Sequence, residues 1–271
     1  MFLNVVTTDL ASATRGSAAN IVTLSVLLIL PICSSISILP SLSRSSSKLP
    51  LALSALLTEP TDSDFGRKDH WNELYATSAR NSSFSWYSEW KDLAPLVQEL
   101  IPSMKSRILI PGVGNDSLLR DMYDAGYTNL VAFDYAPDGV ACAMDLMQDR
   151  PVEIMVADAR NLKMEFADDS FHAVLDKGTL DAIYLSGGKS NKMLGATHLG
   201  SAIQELRRVT KPGGIVMSLS AACVDAVRLS WEDQQSKCRW TCVRDGSIYV
   251  TEDGYASNNV DGTFLAWQRE E

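Results

Sequence analysis

Hydrophobic runs alternate with amphipathic stretches along residues 61–271. Short apolar runs rich in Ile, Val and Leu are typical of strands buried on both faces, and apolar residues spaced three or four apart are typical of helices. The pattern predicts strands at 107–111, 130–134, 152–157, 171–176, 215–219, 239–243 and 263–268, and helices at 69–76, 89–100, 116–125, 137–147, 179–185 and 196–209. Because strands and helices alternate, we expect parallel βαβ units in a doubly wound sheet.

The last two predicted strands are separated by turn sequences rather than by a helical pattern. Asp245-Gly246 and Asp253-Gly254 are typical of turns, so we expect these strands to pair antiparallel at one edge of the sheet. The complete prediction is a Rossmann-like α/β fold, with a seven-stranded sheet that is mostly parallel, an antiparallel edge strand, and helices on both faces.

The first 60 residues differ in composition from the rest. An apolar core at 21–32 is too short by itself to span a bilayer, and no acidic residue occurs between Leu10 and Thr58. An apolar core followed by a serine-rich, weakly basic stretch predicts a targeting presequence, of the two-part type used for plastids. One alternative is a signal anchor, with membrane contact through 21–39 if it stays uncleaved. Another is a mis-annotated start, which would leave the protein in the cytoplasm; in each case we expect 61–271 to form the folded domain.

Composition restricts the classes of partner and site. The 271-residue chain carries a formal net charge of −9 and contains 46% hydrophobic residues, which fits a globular core. An acidic body repels phosphates, so nucleic acid is not expected as a partner. The five cysteines lack the paired spacing of a zinc site, and no metal site is predicted; they are Cys33, Cys142, Cys223, Cys238 and Cys242.

The segment 107–134 carries the most specific chemistry. Gly112 and Gly114 form a tight turn after the first strand, and Asp134 ends the next strand twenty residues after Gly114. A nucleoside cofactor needs this arrangement, because glycines let the backbone approach and the acid binds two ribose hydroxyls. Dinucleotide sites usually have a third glycine where this chain has Ser117, and Asp116 at the helix start would repel a pyrophosphate. A cofactor without phosphate, S-adenosylmethionine, is therefore favoured.

Aspartates end three successive strands, and ligands in such sheets bind beyond the carboxyl ends of the strands. We assign Asp134 to the ribose, Asp158 with Ala159 to the adenine edge, and Asp176 to the sulfonium and the incoming nucleophile. The alternative for each is a helix N-cap, for which aspartate is well suited. His172 and His198 lie within strand and helix patterns, and both are predicted to be structural.

Several motifs resemble one known family. GVGND, VAFDYAPDGV, VADARNL, FHAVLDKGTLDAIY and VTKPGG resemble the class I S-adenosylmethionine-dependent methyltransferases in order and spacing. DHWNELY, FSWYSEW and DKGTLDAIY resemble, more narrowly, the group that includes the elongation factor 1-alpha lysine methyltransferases. The resemblance runs from about Lys68 to Gln268. The family usually has cysteine and serine where this chain has Val113 and Asp116, which puts in question how the loop meets the methionine carboxylate, and tyrosine where it has His70.

The resemblance implies S-adenosylmethionine as cofactor and a protein lysine as methyl acceptor. A small-molecule acceptor of lipid or quinone type, or a non-catalytic cofactor-binding partner subunit, remain the alternatives. The implied cofactor-binding residues are Trp71, Tyr75, Gly112, Gly114, Asn115, Asp134, Tyr135, Asp158, Ala159 and Asp176, and the candidate catalytic residues are Asp176, Lys177, Asp181 and Tyr184. Asp176, Asp181 or Tyr184 would accept the proton of the amine, and the residues do not choose among them. Trp86 and Tyr87 would lie beside the cofactor, and Trp90 in the core.

Overall fold

The computed structural model describes residues 64–78, 82–188, 191–232, 239–248 and 262–271. The predicted presequence at 1–60 lies outside these residues. In the part of the chain that the model describes, no helix is long and apolar enough to cross a membrane.

Helices and strands alternate through the described residues as the hydrophobic pattern predicts. A 3₁₀ turn (Asp64–Gly66) comes first. The helices and strands are α1 (Lys68–Thr77), α2 (Trp90–Leu100), β1 (Ile108–Pro111), α3 (Leu118–Asp124), β2 (Leu130–Asp134), α4 (Pro137–Met147), β3 (Glu153–Val156), β4 (Phe171–Lys177), α5 (Thr179–Leu185), α6 (Lys192–Val209), β5 (Thr210–Ser220), α7 (Val224–Glu232), β6 (Trp240–Ile248) and β7 (Gly262–Arg269).

Seven strands form one sheet in the order β3-β2-β1-β4-β5-β7-β6. Strands β1 to β5 are parallel, β7 is antiparallel to β5, and β6 is antiparallel to β7. The predicted fold class is therefore confirmed, including the antiparallel pair at one edge. The order in which successive strands join the sheet reverses between β1 and β4, which opens a crevice at the carboxyl ends of these strands.

The sheet separates two apolar layers. In β1, Ile108 and Ile110 contact the layer that includes α2, α3 and α4, and Leu109 contacts the layer that includes α6 and α7. Successive side chains of a strand point to opposite faces, so a continuous apolar run fills both layers at once. The two layers hold the strand ends in fixed positions.

Several local features differ from the sequence prediction. Strand β6 continues through Asp245-Gly246, which were predicted to form a turn, and α6 begins at Lys192 rather than at 196. Helix α3 begins two residues later than predicted. Asp116 lies in the turn before it, where its side chain accepts a hydrogen bond of 2.8 Å from the Leu118 N–H. Strand β5 begins at Thr210 and bulges through the predicted Lys-Pro-Gly-Gly turn, where Gly213 has a φ of 72°. Helix α7 was not predicted; its Val227 and Trp231 are buried against the sheet.

Candidate functional site

A cavity of about 770 Å³ lies at the carboxyl ends of β1, β2, β3 and β4. Its volume is within the range of sites that bind a small organic molecule. The predicted site residues that line it are Trp71, Tyr75, Gly112, Asp134, Tyr135, Asp158, Ala159, Lys177 and Asp181. Four other predicted residues, Gly114, Asn115, Asp176 and Tyr184, do not contribute to its wall.

Asp134 ends β2 and is 3% exposed at the cavity wall. Its two carboxylate oxygens accept hydrogen bonds from the backbone N–H groups of Gly114 (3.0 Å) and Ala136 (2.9 Å). A carboxylate has about four lone-pair sites, so these two bonds leave acceptor capacity for ligand hydroxyls. Burial raises the pKa of Asp134 to about 6, against the lowering effect of the backbone N–H groups. The residues present therefore fit a ribose diol.

The glycine turn brings the backbone close to two side chains. Gly112 and Gly114 have φ angles of 62° and 48°, in the left-handed region that favours glycine. A Cβ atom on Gly112 would lie 2.1 Å from Thr179 Oγ1, and one on Gly114 would lie 2.3 Å from the Tyr75 hydroxyl oxygen. A larger residue at either position would have to displace the neighbouring side chain of Thr179 or Tyr75.

Asn115 is buried, and it lies in the turn beside the cavity rather than in its wall. It lines an adjoining hollow of about 20 Å³, which shares Gly112 and Tyr75 with the main cavity. Its carbonyl oxygen accepts a hydrogen bond of 3.1 Å from the Phe84 N–H. Asn115 thus joins the glycine turn to the segment that precedes α2.

The predicted adenine end of the cavity is lined by Tyr135, Asp158 and Ala159. The Asp158 carboxylate accepts hydrogen bonds from the Arg160 guanidinium at 2.6 and 2.9 Å, a pair that the sequence analysis did not identify. Burial raises the pKa of Asp158, but the hydrogen bonds and charge of Arg160 outweigh burial and hold that pKa below its usual value. The Lys68 ammonium lies 5.5 Å from the centre of the Tyr135 ring. Cations and an aromatic ring therefore line this end together.

Asp176 is fully buried and does not line the cavity, which departs from its predicted position facing the reacting atoms. One oxygen accepts hydrogen bonds from the N–H groups of Thr179 (3.0 Å) and Leu180 (3.2 Å), and the other from the Ser218 hydroxyl (2.6 Å). Burial raises its pKa to about 7. Asp176 binds the first N–H groups of α5, which is the N-terminal capping alternative.

Asp181 lines the cavity and is the acceptor of four hydrogen bonds. They come from the Tyr87 hydroxyl (2.8 Å), the Ser220 hydroxyl (2.5 Å) and the backbone N–H groups of Ala221 and Ala222 (both 2.9 Å). No cation forms an ion pair with Asp181 among the described residues, so the carboxylate presents negative charge at the wall.

Tyr87 turns towards this carboxylate from the segment before α2. Its hydroxyl proton is committed to Asp181, so its oxygen can act only as an acceptor towards a ligand. Burial raises the pKa of Tyr87, and the charge of Asp181 raises it further, so the hydroxyl keeps its proton. Of the three proton acceptors that the sequence offered, the cavity wall holds Asp181 but neither Asp176 nor Tyr184.

Tyr184 packs against the apolar layer on the α6 side of the sheet. The structure therefore places Tyr184 away from the predicted catalytic group.

His198 is in the cavity wall, although the sequence analysis assigned it a structural position. Its Nδ1 lies 2.7 Å from the Ser186 hydroxyl oxygen, and that hydroxyl donates its single proton to the Ile183 carbonyl at 2.6 Å. The Ser186 oxygen must then accept from Nδ1–H, which leaves Nε2 of a neutral His198 as an acceptor. His172, by contrast, is exposed and accepts a hydrogen bond from the Arg107 N–H.

Aromatic rings from the two segments that precede α2 cover one side of the cavity. Phe65, Trp71, Tyr75 and Trp86 all line it, and the ring centres of Trp71 and Tyr75 are 5.8 Å apart in a stacked arrangement. Phe65 contacts both tryptophans, at 5.9 Å and 5.0 Å between ring centres. These rings offer a surface that attracts cations as well as apolar groups. Trp90 instead packs on the buried Tyr127 in the core.

Comparison with known proteins agrees with this geometry. Residues 109–218 match a family model described as a methyltransferase domain. Among solved structures, the N-methyltransferase NodS from Bradyrhizobium japonicum in complex with S-adenosyl-L-homocysteine superposes with a TM-score of 0.50 at 14% identity, over 67% of this chain and 86% of that chain. A structure from work on converting a disulfide bond into a thioacetal group during echinomycin biosynthesis gives 0.54 at 14% identity, over 75% and 91%. At such identities the likeness is one of fold.

Curated relatives resemble the chain at higher identity. The eEF1A lysine and N-terminal methyltransferase homolog of Drosophila melanogaster is 29% identical over 164 residues, which are 60% of this chain and 24% of the relative. EEF1A lysine methyltransferase 4 of Mus musculus is 29% identical over 157 residues, 56% of this chain and 60% of the relative. The match thus spans about a quarter of the length of the first relative and less than two thirds of the second.

Proposed function

We propose that this chain, which carries a class I S-adenosylmethionine-dependent methyltransferase domain, N-methylates a lysine side chain of a protein substrate. Bound S-adenosylmethionine would supply an activated methyl group, which leaves its sulfur for the lysine nitrogen as the amine gives up one proton. Gly112 and Asp134 would hold the methionine side and the ribose, and Tyr135, Asp158 and Ala159 would surround the adenine. Elongation factor 1-alpha is the first substrate to test, because the curated relatives are named for it.

The observation that carries the proposal is the Tyr87–Asp181 pair in the wall of the cavity. A lysine ammonium needs an acceptor for its N–H groups and a negative charge nearby, and this pair supplies both. As the amine is deprotonated, its proton passes to the Tyr87 oxygen while the Tyr87 hydroxyl proton passes to Asp181 Oδ2. The carboxylate thus ends as a carboxylic acid, and the nitrogen lone pair is free to attack.

The remaining contribution of the protein is orientation and exclusion of water. Trp71 and Trp86 bring apolar faces to the cavity, and a lysine stem packs well against such surfaces. Holding donor and acceptor in line contributes much of the rate enhancement in reactions of this type. A small-molecule acceptor would carry the label in place of protein, so an assay that separates protein from small molecules distinguishes the two classes of acceptor.

The experiment incubates the purified full-length protein with methyl-labelled S-adenosylmethionine and purified elongation factor 1-alpha, followed by hydrolysis and amino-acid analysis. We expect label in methylated lysine, and its loss in the Asp181→Asn variant. Asp225→Asn is the matched control, since Asp225 is an exposed carboxylate on α7. A parallel incubation with total cell extract covers other acceptors. Label confined to small metabolites in both incubations would overturn the protein-lysine proposal.

A further inference from the structure

Tyr87 is the central residue of a three-residue turn that costs conformational energy. The Ser88 N–H donates to the Trp86 carbonyl oxygen at 2.7 Å, and Tyr87 between them has a φ of 64°. A turn closed between residues two apart with a positive φ is the rare form of the γ-turn, and a bulky residue seldom adopts it. Such a conformation persists where the surrounding structure holds it, and it occurs most often at functional sites.

The group that holds the turn is the Lys177 ammonium, at the end of β4. It contacts the Ser88 carbonyl oxygen at 2.8 Å, the Ser85 hydroxyl oxygen at 2.6 Å and Asp116 Oδ2 at 2.5 Å. The Ser85 hydroxyl in turn donates to the same Ser88 carbonyl at 2.8 Å. Lys177 therefore contacts the chain on both sides of Tyr87 and ties it to the glycine turn.

These contacts leave the lysine without a free donor. An ammonium has three hydrogens, and Lys177 has three acceptors at hydrogen-bonding distance. Its side chain is 5% exposed and that of Asp116 is 11% exposed, so solvent screens the pair little. Lys177 is therefore engaged with Ser85, Ser88 and Asp116 rather than with a ligand in the cavity.

Gly178, the next residue, makes room for the ring that the turn presents. Its φ is 80°, and a Cβ atom there would lie 3.0 Å from Tyr87 Cε2. The Lys177-Gly178 pair at the end of β4 thus acts on Tyr87 twice: the ammonium fixes the backbone on either side, and the glycine leaves space for the ring. The hydroxyl then reaches Asp181 at 2.8 Å.

We propose that Lys177 is a positioning residue that clamps the γ-turn at Tyr87 and so aims the Tyr87 hydroxyl at Asp181. This replaces the catalytic role that the family resemblance implied for Lys177. The inference rests on the proposed function where it concerns turnover. It also predicts a property of the backbone at 84–88 that does not depend on any acceptor.

The test compares the full-length wild type with Lys177→Met, the double variant Lys177→Met with Asp116→Ser, and the control Lys105→Met, an exposed lysine before β1. Hydrogen exchange at 84–88 reports the turn directly. Isothermal titration with S-adenosylhomocysteine reports cofactor binding, and labelled methyl transfer to elongation factor 1-alpha reports kcat and KM. The double variant removes the carboxylate that Lys177→Met would leave buried and unpaired, and so separates lost stability from lost positioning.

We expect Lys177→Met to raise exchange at the Ser88 amide at least tenfold and to lower kcat about 10²-fold, the size of effect that misplacement by about 1 Å produces. The dissociation constant for S-adenosylhomocysteine should stay within about threefold. The double variant should recover thermal stability but keep the low kcat and the fast exchange. Lys105→Met should match the wild type throughout.

Two results would overturn the clamp: unchanged exchange at 84–88 in Lys177→Met, or a double variant whose kcat and exchange return to wild-type values. The second result would make Lys177 only the counter-ion of Asp116. If the wild type itself methylates no acceptor, the proposed function fails, and the exchange measurement still decides the clamp.

Discussion

The carboxylate of Asp134 accepts a hydrogen bond of 3.0 Å from the backbone N–H of Gly114, twenty residues earlier in the chain. This bond joins the end of β2 to the turn after β1. One oxygen of the acid is thereby fixed by the glycine turn, and the other by the N–H of Ala136 before α4. The carboxylate enters the cavity already oriented, so a ligand need not order it.

Cofactor affinity should depend on the ionisation of Asp134. Burial raises its pKa to about 6, and protonation removes acceptor sites, so the association constant for S-adenosylhomocysteine should fall up to tenfold for each pH unit below about 6. Isothermal titration between pH 4.5 and 7.5 measures this. Asp134→Asn should bind about 10- to 100-fold more weakly above pH 6 and show a flatter profile, since a hydrogen bond to a charged group contributes about 1.5–3 kcal/mol. Asp138→Asn, at an exposed position on α4, should bind as the wild type does.

Asp176 should affect stability more than cofactor binding. Its pKa is about 7 in the folded protein, against an ordinary value of 3.8 in the unfolded chain. Between these two pH values the folded state holds a proton that the unfolded state releases. The contribution of this group is therefore most favourable below about pH 4 and declines as pH rises to about 7, by up to about 1.4 kcal/mol per pH unit. Asp176→Asn removes the titration and should gain stability relative to wild type across that window, as urea unfolding would show. A difference that does not change with pH would contradict this prediction.

The Tyr87–Asp181 pair should affect turnover more than cofactor binding. Asp181→Asn keeps the shape of the side chain and removes its charge, so we expect kcat to fall about 10²- to 10⁴-fold, the usual contribution of general acid–base catalysis. Tyr87→Phe should lower kcat in the same direction, with the dissociation constant for S-adenosylhomocysteine unchanged within about threefold. The defect should shrink as assay pH approaches about 10.4, where free lysine loses its proton unaided. A constant defect up to pH 9.5 would argue against a role in deprotonation.

Gly112→Ala should destabilise the domain. The added Cβ atom would meet Thr179 Oγ1 at 2.1 Å, and the φ of 62° is itself unfavourable for alanine. We expect a loss of about 1–3 kcal/mol, measured by thermal and urea unfolding. Gly200→Ala is the matched control, because Gly200 lies in α6 with no atom within 4 Å of the added Cβ. It should instead stabilise by about 0.5–1 kcal/mol.

The fold could be predicted from the sequence because the signals for each strand and helix lie within that element or beside it. Apolar runs mark the strands, and glycines or prolines mark where they end, so the bounds of α4 and α5 agree with the structure to the residue. Helix α7 escaped prediction because its apolar face is short, with Val227 and Trp231 as its buried residues. The start of α3 was misplaced because Asp116 belongs to the preceding turn, where its side chain bonds the Leu118 N–H.

The candidate site was only partly readable, for a physical reason. Asp134 and Gly112 belong to one βαβ unit, so their relation depends on spacing along the chain. Asp176 and Asp181 each accept a hydrogen bond from a serine of β5, about 40 positions away, and Asp181 also accepts one from the more distant Tyr87. Two aspartates five residues apart on one short motif therefore differ in role: one caps a helix and the other lines the cavity. Spacing along the chain carries no information on that difference.

The parallel arrangement of β1 to β5 gathers the cavity at one end of the sheet, so the opposite end of the sheet is the place to attach a handle to the protein. Arg107 and His172 lie at that far end, hydrogen-bonded to each other, and Lys211 lies beside His172. A fluorophore or surface linkage attached at Lys211 would sit a full strand length from the cavity groups. Immobilised protein could then be screened against candidate acceptors with the cavity facing solution.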